Sequence, residues 1–168
     1  MTIAELLQSA TAVNQLSDSP GLDCELLLCF VLGVDPSYLK TWPERSVSDT
    51  QQLEFQVLLQ RRMVGEPIAY LIGSQGFWSL DLEVSPATLI PRPETELLVE
   101  IALDLRLPEQ AKVLDLGTGT GAIALALATE RSHWEISAVD LQQAVDLAER
   151  NRQRYQLENV SVFASDWF

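Results

Sequence analysis

The sequence predicts an α/β protein in three stretches: a small helical bundle over residues 1–72, a β-hairpin and proline-rich link over 73–92, and the first half of an open parallel sheet flanked by helices over 93–168. Three observations predict it. Apolar residues recur at helical spacing behind capping signals through the first 65 or so positions. One stretch, Gln75 to Val84, alternates apolar and polar residues about Ser79. From Leu97 onward, helical stripes alternate with short apolar runs, the rhythm of β-α-β units.

In chain order, Thr2-x-x-Glu5 is a capping box, followed by Ile3, Leu6, Leu7, Ala10 and Val13 at helical spacing. Ser19-Pro20 opens a second helix whose expected core stripe is Leu22, Leu26, Leu27, Phe30 and Val31, ending near Gly33. Asp35-Pro36-Ser37 opens a short turn carrying Tyr38 and Leu39, and Trp42-Pro43 breaks it. Ser48-x-x-Gln51 caps a further helix, with Leu53, Val57, Leu58 and Leu59 inside it and Arg61-Arg62 at its C-terminal end, favourable for the dipole. Gly65 and Pro67 end that helix, and Ile68, Ala69 and Leu71 fit one short helix before Gly73. The bundle contains no catalytic constellation; its polar face is either a solvated surface or a platform for a protein substrate.

The stretch Pro86 to Glu96 is pinned by Pro91 and Pro93 and brings Arg92, Glu94 and Glu96 to the start of the next helix. It reads as a helix entry with acids in the first turn, or as a stiff loop that holds side chains against a ligand at low entropic cost. Leu97, Leu98, Ile101, Ala102 and Leu105 are the expected core stripe of the helix that follows.

Val113-Leu114-Asp115-Leu116 reads as a buried strand running into Gly117-Thr118-Gly119-Thr120-Gly121 and an alanine-rich helix. Three alternate glycines permit a tight turn, so the loop N–H groups and the helix N-terminus are expected to face a ligand. Asp115 bears on which ligand. An anionic pyrophosphate would be repelled by it, whereas the sulfonium and ammonium of S-adenosylmethionine would be attracted. A dinucleotide remains a competing reading, because Gly117-x-Gly119-x-x-Ala122 meets the looser fingerprint and Asp140 stands where a ribose-binding acid belongs. A purely structural turn is the third. Glu135 to Asp140 forms the second strand, with Asp140 at its carboxyl end as a ribose ligand or, with Gln143, a helix cap. An amphipathic helix from about Gln142 to Tyr155 leads to a third strand, Asn159 to Ala164. Asp166 and Trp167 then stand where they contact the edge and face of an adenine, while Trp167 and Phe168 read equally as core residues beginning a helix.

Composition narrows the partners. With 24 acidic and 11 basic residues, a net charge of −13 argues against gripping nucleic acid through its phosphates. Neither a leader peptide nor a membrane span is visible, so a cytoplasmic address is expected. Cys24 and Cys29 lack metal-ligand spacing and read as reduced core residues, and no metal site is expected.

Together these motifs resemble the release-factor glutamine methyltransferases, the HemK or PrmC family. The carrying residues are Arg61-Arg62, Gly65 to Leu71, Phe77-Trp78, Ser85 to Glu96, Asp115 to Ala128, Val139-Asp140 and Ser165 to Phe168. The resemblance implies a Rossmann-like S-adenosylmethionine-dependent methyltransferase domain. The implied reaction is methylation of the glutamine side-chain amide in the Gly-Gly-Gln motif of peptide chain release factors. It assigns Asp115, Gly117, Thr118, Gly119, Thr120, Gly121, Asp140, Asp166 and Trp167 to the donor, and Pro91, Arg92 and Pro93 to a loop bordering the active site. The helical part would dock the release factor, and the protein is expected to be a monomer without nucleic acid or membrane. The family positions its target amide with an Asn-Pro-Pro-Tyr motif, and no asparagine here is followed by proline. The catalytic residues are therefore unassigned, and the chain is expected to be an N-terminal part with negligible activity alone. A non-catalytic release-factor-binding fragment and a nicotinamide-dinucleotide oxidoreductase domain are the alternatives.

Overall fold

A computed structural model describes residues 1–13 and 18–166, the side chains of 11–13 excepted. It divides into two compact units, Met1–Ile72 and Gly73–Phe168.

The first unit is helical: α1 (Ile3–Val13), α2 (Pro20–Leu32), α3 (Pro36–Thr41), α4 (Asp49–Met63) and α5 (Ile68–Ile72). Local signals start most of these helices. Thr2 and Glu5 exchange both capping-box bonds, as do Ser48 and Gln51, and the Asp35 carboxylate accepts from the Ser37 and Tyr38 amides. The core collects Ile3, Leu6, Cys24, Leu27, Leu28, Leu39, Phe55, Leu58 and Leu59. The expected stripes of α2 and α4 are only half right, because Leu22, Phe30, Leu53 and Val57 are exposed, while Cys24, Leu28 and Phe55 are buried. In a helix as uniformly apolar as α2, periodicity does not single out one face; packing does. Both cysteines are free and buried. Arg62 donates to Asp23 at 2.7 Å, joining α4 to α2.

The second unit starts with the antiparallel hairpin β1 (Ser74–Phe77) and β2 (Leu80–Glu83), paired from Ser74 with Glu83 to Phe77 with Leu80. A 3-10 turn, Pro93–Thr95, leads into α6 (Glu96–Asp104). There follow β3 (Lys112–Leu116), α7 (Ala122–Glu130), β4 (Glu135–Asp140), α8 (Gln142–Arg154) and β5 (Val160–Ala164). The three strands are parallel in the order β3-β4-β5, with Asp115 beside Ala138 and Asp140 beside Ala164. Buried Phe77, Leu80 and Leu82 of the hairpin share one core with Val99, Leu125, Trp134, Ile136 and Ala138.

Residue alternation leaves Leu114, Leu116 and Phe163 exposed on the sheet face away from Val113, Ile136 and Val160. In α6 the expected core stripe holds only at Ala102: Leu97, Leu98, Ile101 and Leu105 are exposed, and the helix packs through Val99, Ala102 and Leu103. Among the described residues, no helix is long and apolar enough to cross a membrane.

Candidate functional site

The site lies at the carboxyl end of the parallel strands, where open α/β sheets bind ligands. Strand β3 delivers Asp115 just before its last residue, and β4 ends on Asp140. Between strand and helix the backbone reverses through Gly117, Gly119 and Gly121 at φ 76°, 57° and 85°. Gly121 is demanded twice over: it is left-handed, and a Cβ there would stand 3.0 Å from Leu125 Cδ1. A cavity of about 470 Å³ opens here, within the usual size of small-molecule sites. Asp115, Gly117, Thr118, Gly119, Thr120 and Asp140 line it together with Thr88 to Arg92, and Thr88 lies close against Gly119.

The hydrogen bonds of the loop revise one expectation. The Gly117 and Thr118 N–H groups both donate to the Val139 carbonyl, at 2.9 and 3.1 Å. Gly119 N–H donates to Asp140 Oδ2 at 2.8 Å, and Gly121 N–H to the Thr118 carbonyl at 2.9 Å. These N–H groups hold the loop itself together and do not form an anion cradle of the kind a pyrophosphate uses. The loop folds back over the end of β4, where Val139 and Asp140 take its amides.

What the cavity offers instead is negative charge. Thr118 Oγ1 donates to Asp115 Oδ2 at 2.7 Å, fixing the half-buried carboxylate. Burial pushes the Asp115 carboxyl above its ordinary range, with the nearby Asp140 charge adding to the rise; the Thr118 hydroxyl and the Ala124 backbone oppose it. Asp140 accepts from Gly119 through one oxygen and from Leu141 N–H, at 2.7 Å, through the other. Each oxygen keeps a further lone pair for a hydroxyl donor. The cap with Gln143 does not form; Leu141 occupies the N-cap position of α8.

Other expected site residues fall at varied distances from this centre. Pro91 and Arg92 line the cavity, while Pro93 begins the 3-10 turn. Asp166 is exposed and borders an adjoining recess of about 210 Å³ with Gly117, Asp140 and Ser165. Trp167 lies outside the described residues. Of the acids at the helix entry, Glu96 has a structural bond, accepting from the Trp78 N–H at 2.7 Å. Sequence reasoning missed Thr95, Ile123 and Ala144 on the cavity wall, and above all Asn151, which contacts the loop from behind. A polar residue three and four places after Ala148 and Leu147, on the buried stripe of α8, was the available signal for it. Among the described residues, no cluster of three or more His, Cys, Asp or Glu could hold a metal.

Residues 5–73 match the family described as the PrmC N-terminal domain, and residues 93–168 the methyltransferase small domain. The release factor glutamine methyltransferase of Pseudomonas aeruginosa is 58% identical over 170 residues, covering 99% of this chain and 60% of that protein. That of Shewanella oneidensis is 53% identical, covering 99% of this chain and 59% of its own length. The Escherichia coli enzyme is 53% identical, at 96% and 59% coverage. The chain thus spans about three fifths of the length of the curated relatives it matches. A solved coclaurine N-methyltransferase overlays at a TM-score of 0.41 and 21% identity, over 98% of this chain and 48% of that one, too loosely to bear on the site.

Proposed function

The chain belongs to the release factor glutamine methyltransferase family, and on that footing we propose that its glycine-loop cavity binds S-adenosylmethionine, for methylation of the glutamine amide in the Gly-Gly-Gln motif of peptide chain release factors. The observation that supports this most directly is the chemistry of the cavity wall. Asp115 and Asp140 border it, and the N–H groups of Gly117, Thr118, Gly119 and Gly121 are bonded internally. Such a wall favours a ligand with cationic groups and hydroxyl donors over a pyrophosphate.

S-adenosylmethionine, when bound, supplies an electrophilic methyl group. The chain's own residues bind and orient. Asp115, held by Thr118, would hold the cationic amino-acid end, Asp140 would accept from the ribose hydroxyls, and Gly117 to Gly121 would border the donor. Asp166 and Trp167 would contact the adenine. Pro91-Arg92-Pro93 would border the acceptor side, the fixed φ of its two prolines limiting the conformers through which an acceptor amide is approached. Residues 1–72 are the docking platform for the release factor, residues 73–92 the link, and residues 93–168 the methyltransferase part. The protein acts as a monomer in the cytoplasm, in translation termination, without direct nucleic-acid or membrane contact.

Calorimetric titration of the 168-residue chain with S-adenosylmethionine and, separately, with NAD tests the reading. Binding of the first alone is expected. Binding of NAD alone would overturn the assignment of the cavity.

A further inference from the structure

Asn151 is a fully buried polar side chain, 0% exposed, that the donor reading does not use. Its amide is matched on three sides. Nδ2 donates to the Thr120 carbonyl at 2.9 Å and to the Glu83 carbonyl at 3.0 Å, and Oδ1 accepts from the Glu83 N–H at 2.7 Å. Only one orientation of the amide works, because two carbonyls require the NH₂ group and one N–H requires the oxygen. Aspartate has the shape without the donors.

One turn further along α8, the Tyr155 hydroxyl accepts from Asp81 N–H at 2.6 Å and donates to the Asp81 carbonyl at 2.9 Å. The spacing is a geometric match. Four residues of helix rise about 6 Å, and two residues of strand about 6.6–6.8 Å. Two side chains on one helix face therefore meet alternate residues along the free edge of β2, as a neighbouring strand would. The hydroxyl of Tyr155 bonds to the hairpin, whereas the amide of Asn151 also reaches the glycine loop.

That difference matters because β2 leads, across residues 84–87, into the Thr88 to Arg92 segment that also lines the cavity. We infer that Asn151 is a positioning residue: it ties the glycine loop, through Thr120, to the strand that leads into that segment, through Glu83, and so holds the two parts of the donor cavity lining in place relative to each other. The inference rests on the proposal that this cavity takes S-adenosylmethionine.

Asn151→Asp and Tyr155→Phe, compared in the full chain, test it. Each disturbs the contact between α8 and β2, but only the first cuts the link to Thr120. Asn151→Asp, which loses both Nδ2 donations and sets a carboxylate against the Thr120 and Glu83 carbonyls, is expected to weaken S-adenosylmethionine binding at least about tenfold. It is also expected to speed amide exchange at Gly119 and Gly121. Tyr155→Phe leaves both near wild type even where its melting temperature falls as far. Unchanged affinity and exchange in Asn151→Asp, or equal losses in Tyr155→Phe, would overturn the inference. Should Asn151→Asp not fold, Asn151→Ala, which removes both Nδ2 donations without adding a charge, carries the same comparison. If the wild-type chain does not bind S-adenosylmethionine, the donor reading fails, and loop exchange alone still decides the role of Asn151.

Discussion

Alanine at Gly117 and at Gly121 separates two reasons for a glycine in the loop. Both residues are left-handed, at φ 76° and 85°, so each substitution brings the strain of a side chain in that region. That strain is about 1–2 kcal/mol, offset by a loss of unfolded-chain entropy of about 0.4–1 kcal/mol, leaving about 1 kcal/mol. At Gly117 an added Cβ meets nothing within 4 Å, and the account ends there. At Gly121 the Cβ stands 3.0 and 3.2 Å from Leu125 Cδ1 and Cγ and 3.4 Å from Ala148 Cβ. Leu125 is 0% exposed and has no room to yield, so overpacking adds about 1–3 kcal/mol. Gly121→Ala is therefore expected to cost about 2–4 kcal/mol, against about 1 kcal/mol for Gly117→Ala. For a unit of this size the gap corresponds to a difference in melting temperature of at least about 4–8 °C. Amide exchange of α7 and α8 reports on the second unit by itself. A Gly121→Ala/Leu125→Ala pair should lose less than the sum of its parts, since truncating Leu125 removes the clashing carbons. Equal losses at the two glycines, or strict additivity in that pair, would refute the steric argument.

Asp115→Asn has two opposed effects. The folded carboxyl titrates above its ordinary value, so ionisation is disfavoured in the folded ligand-free chain; the penalty is absent below the ordinary value and full above the raised one. The variant should thus be more stable than wild type at neutral pH and equal to it in acid, as thermal melts across pH would show, while calorimetry finds weaker S-adenosylmethionine binding that no longer falls as the pH drops through the Asp115 titration. Asp140→Ala removes the acceptor of the Gly119 and Leu141 amides as well as the proposed ribose partner, and titration should find S-adenosylmethionine affinity lower by about tenfold or more. In the helical unit, Arg62→Met leaves Asp23 without its 2.7 Å guanidinium bond. The pair is partly solvated, so the expected loss is about 1–3 kcal/mol, seen as faster exchange of α2 and α4 amides.

How much was legible depended on whether the signal was local. Caps such as Ser48 with Gln51, and the strand-glycine-helix run at Asp115 to Ala128, depend on neighbours in sequence and were read directly. Faces of helices were not. In α6 the run Leu97, Leu98, Ile101 and Leu105 has the periodicity of a buried stripe, yet Val99 on the other side is the residue the core encloses. Position relative to the sheet decides that, and no window of the sequence contains it. Trp78 at φ 56° was likewise invisible, since its conformation goes with bonds to Glu96 and Glu130, 18 and 52 residues away.

The loop amides carry the sharpest lesson about the site. Spaced glycines were expected to turn N–H groups toward a ligand, and such a site would suit an anion. In the folded chain Val139, Asp140 and Thr118 accept those protons, so the same glycines leave the carboxylates of Asp115 and Asp140, rather than loop N–H groups, facing the cavity that Arg92 also borders. Two carboxylates on one cavity repel, and with burial this keeps the Asp115 carboxyl above its ordinary range while no cation is near. A cationic ligand would offset the repulsion between the two carboxylates and favour the ionised form of Asp115. By the same reasoning a pyrophosphate would meet the repulsion without free N–H donors at Gly117, Thr118, Gly119 or Gly121 to compensate. Ligand choice in this loop thus follows from where its amide hydrogens go, which the glycine spacing alone does not determine.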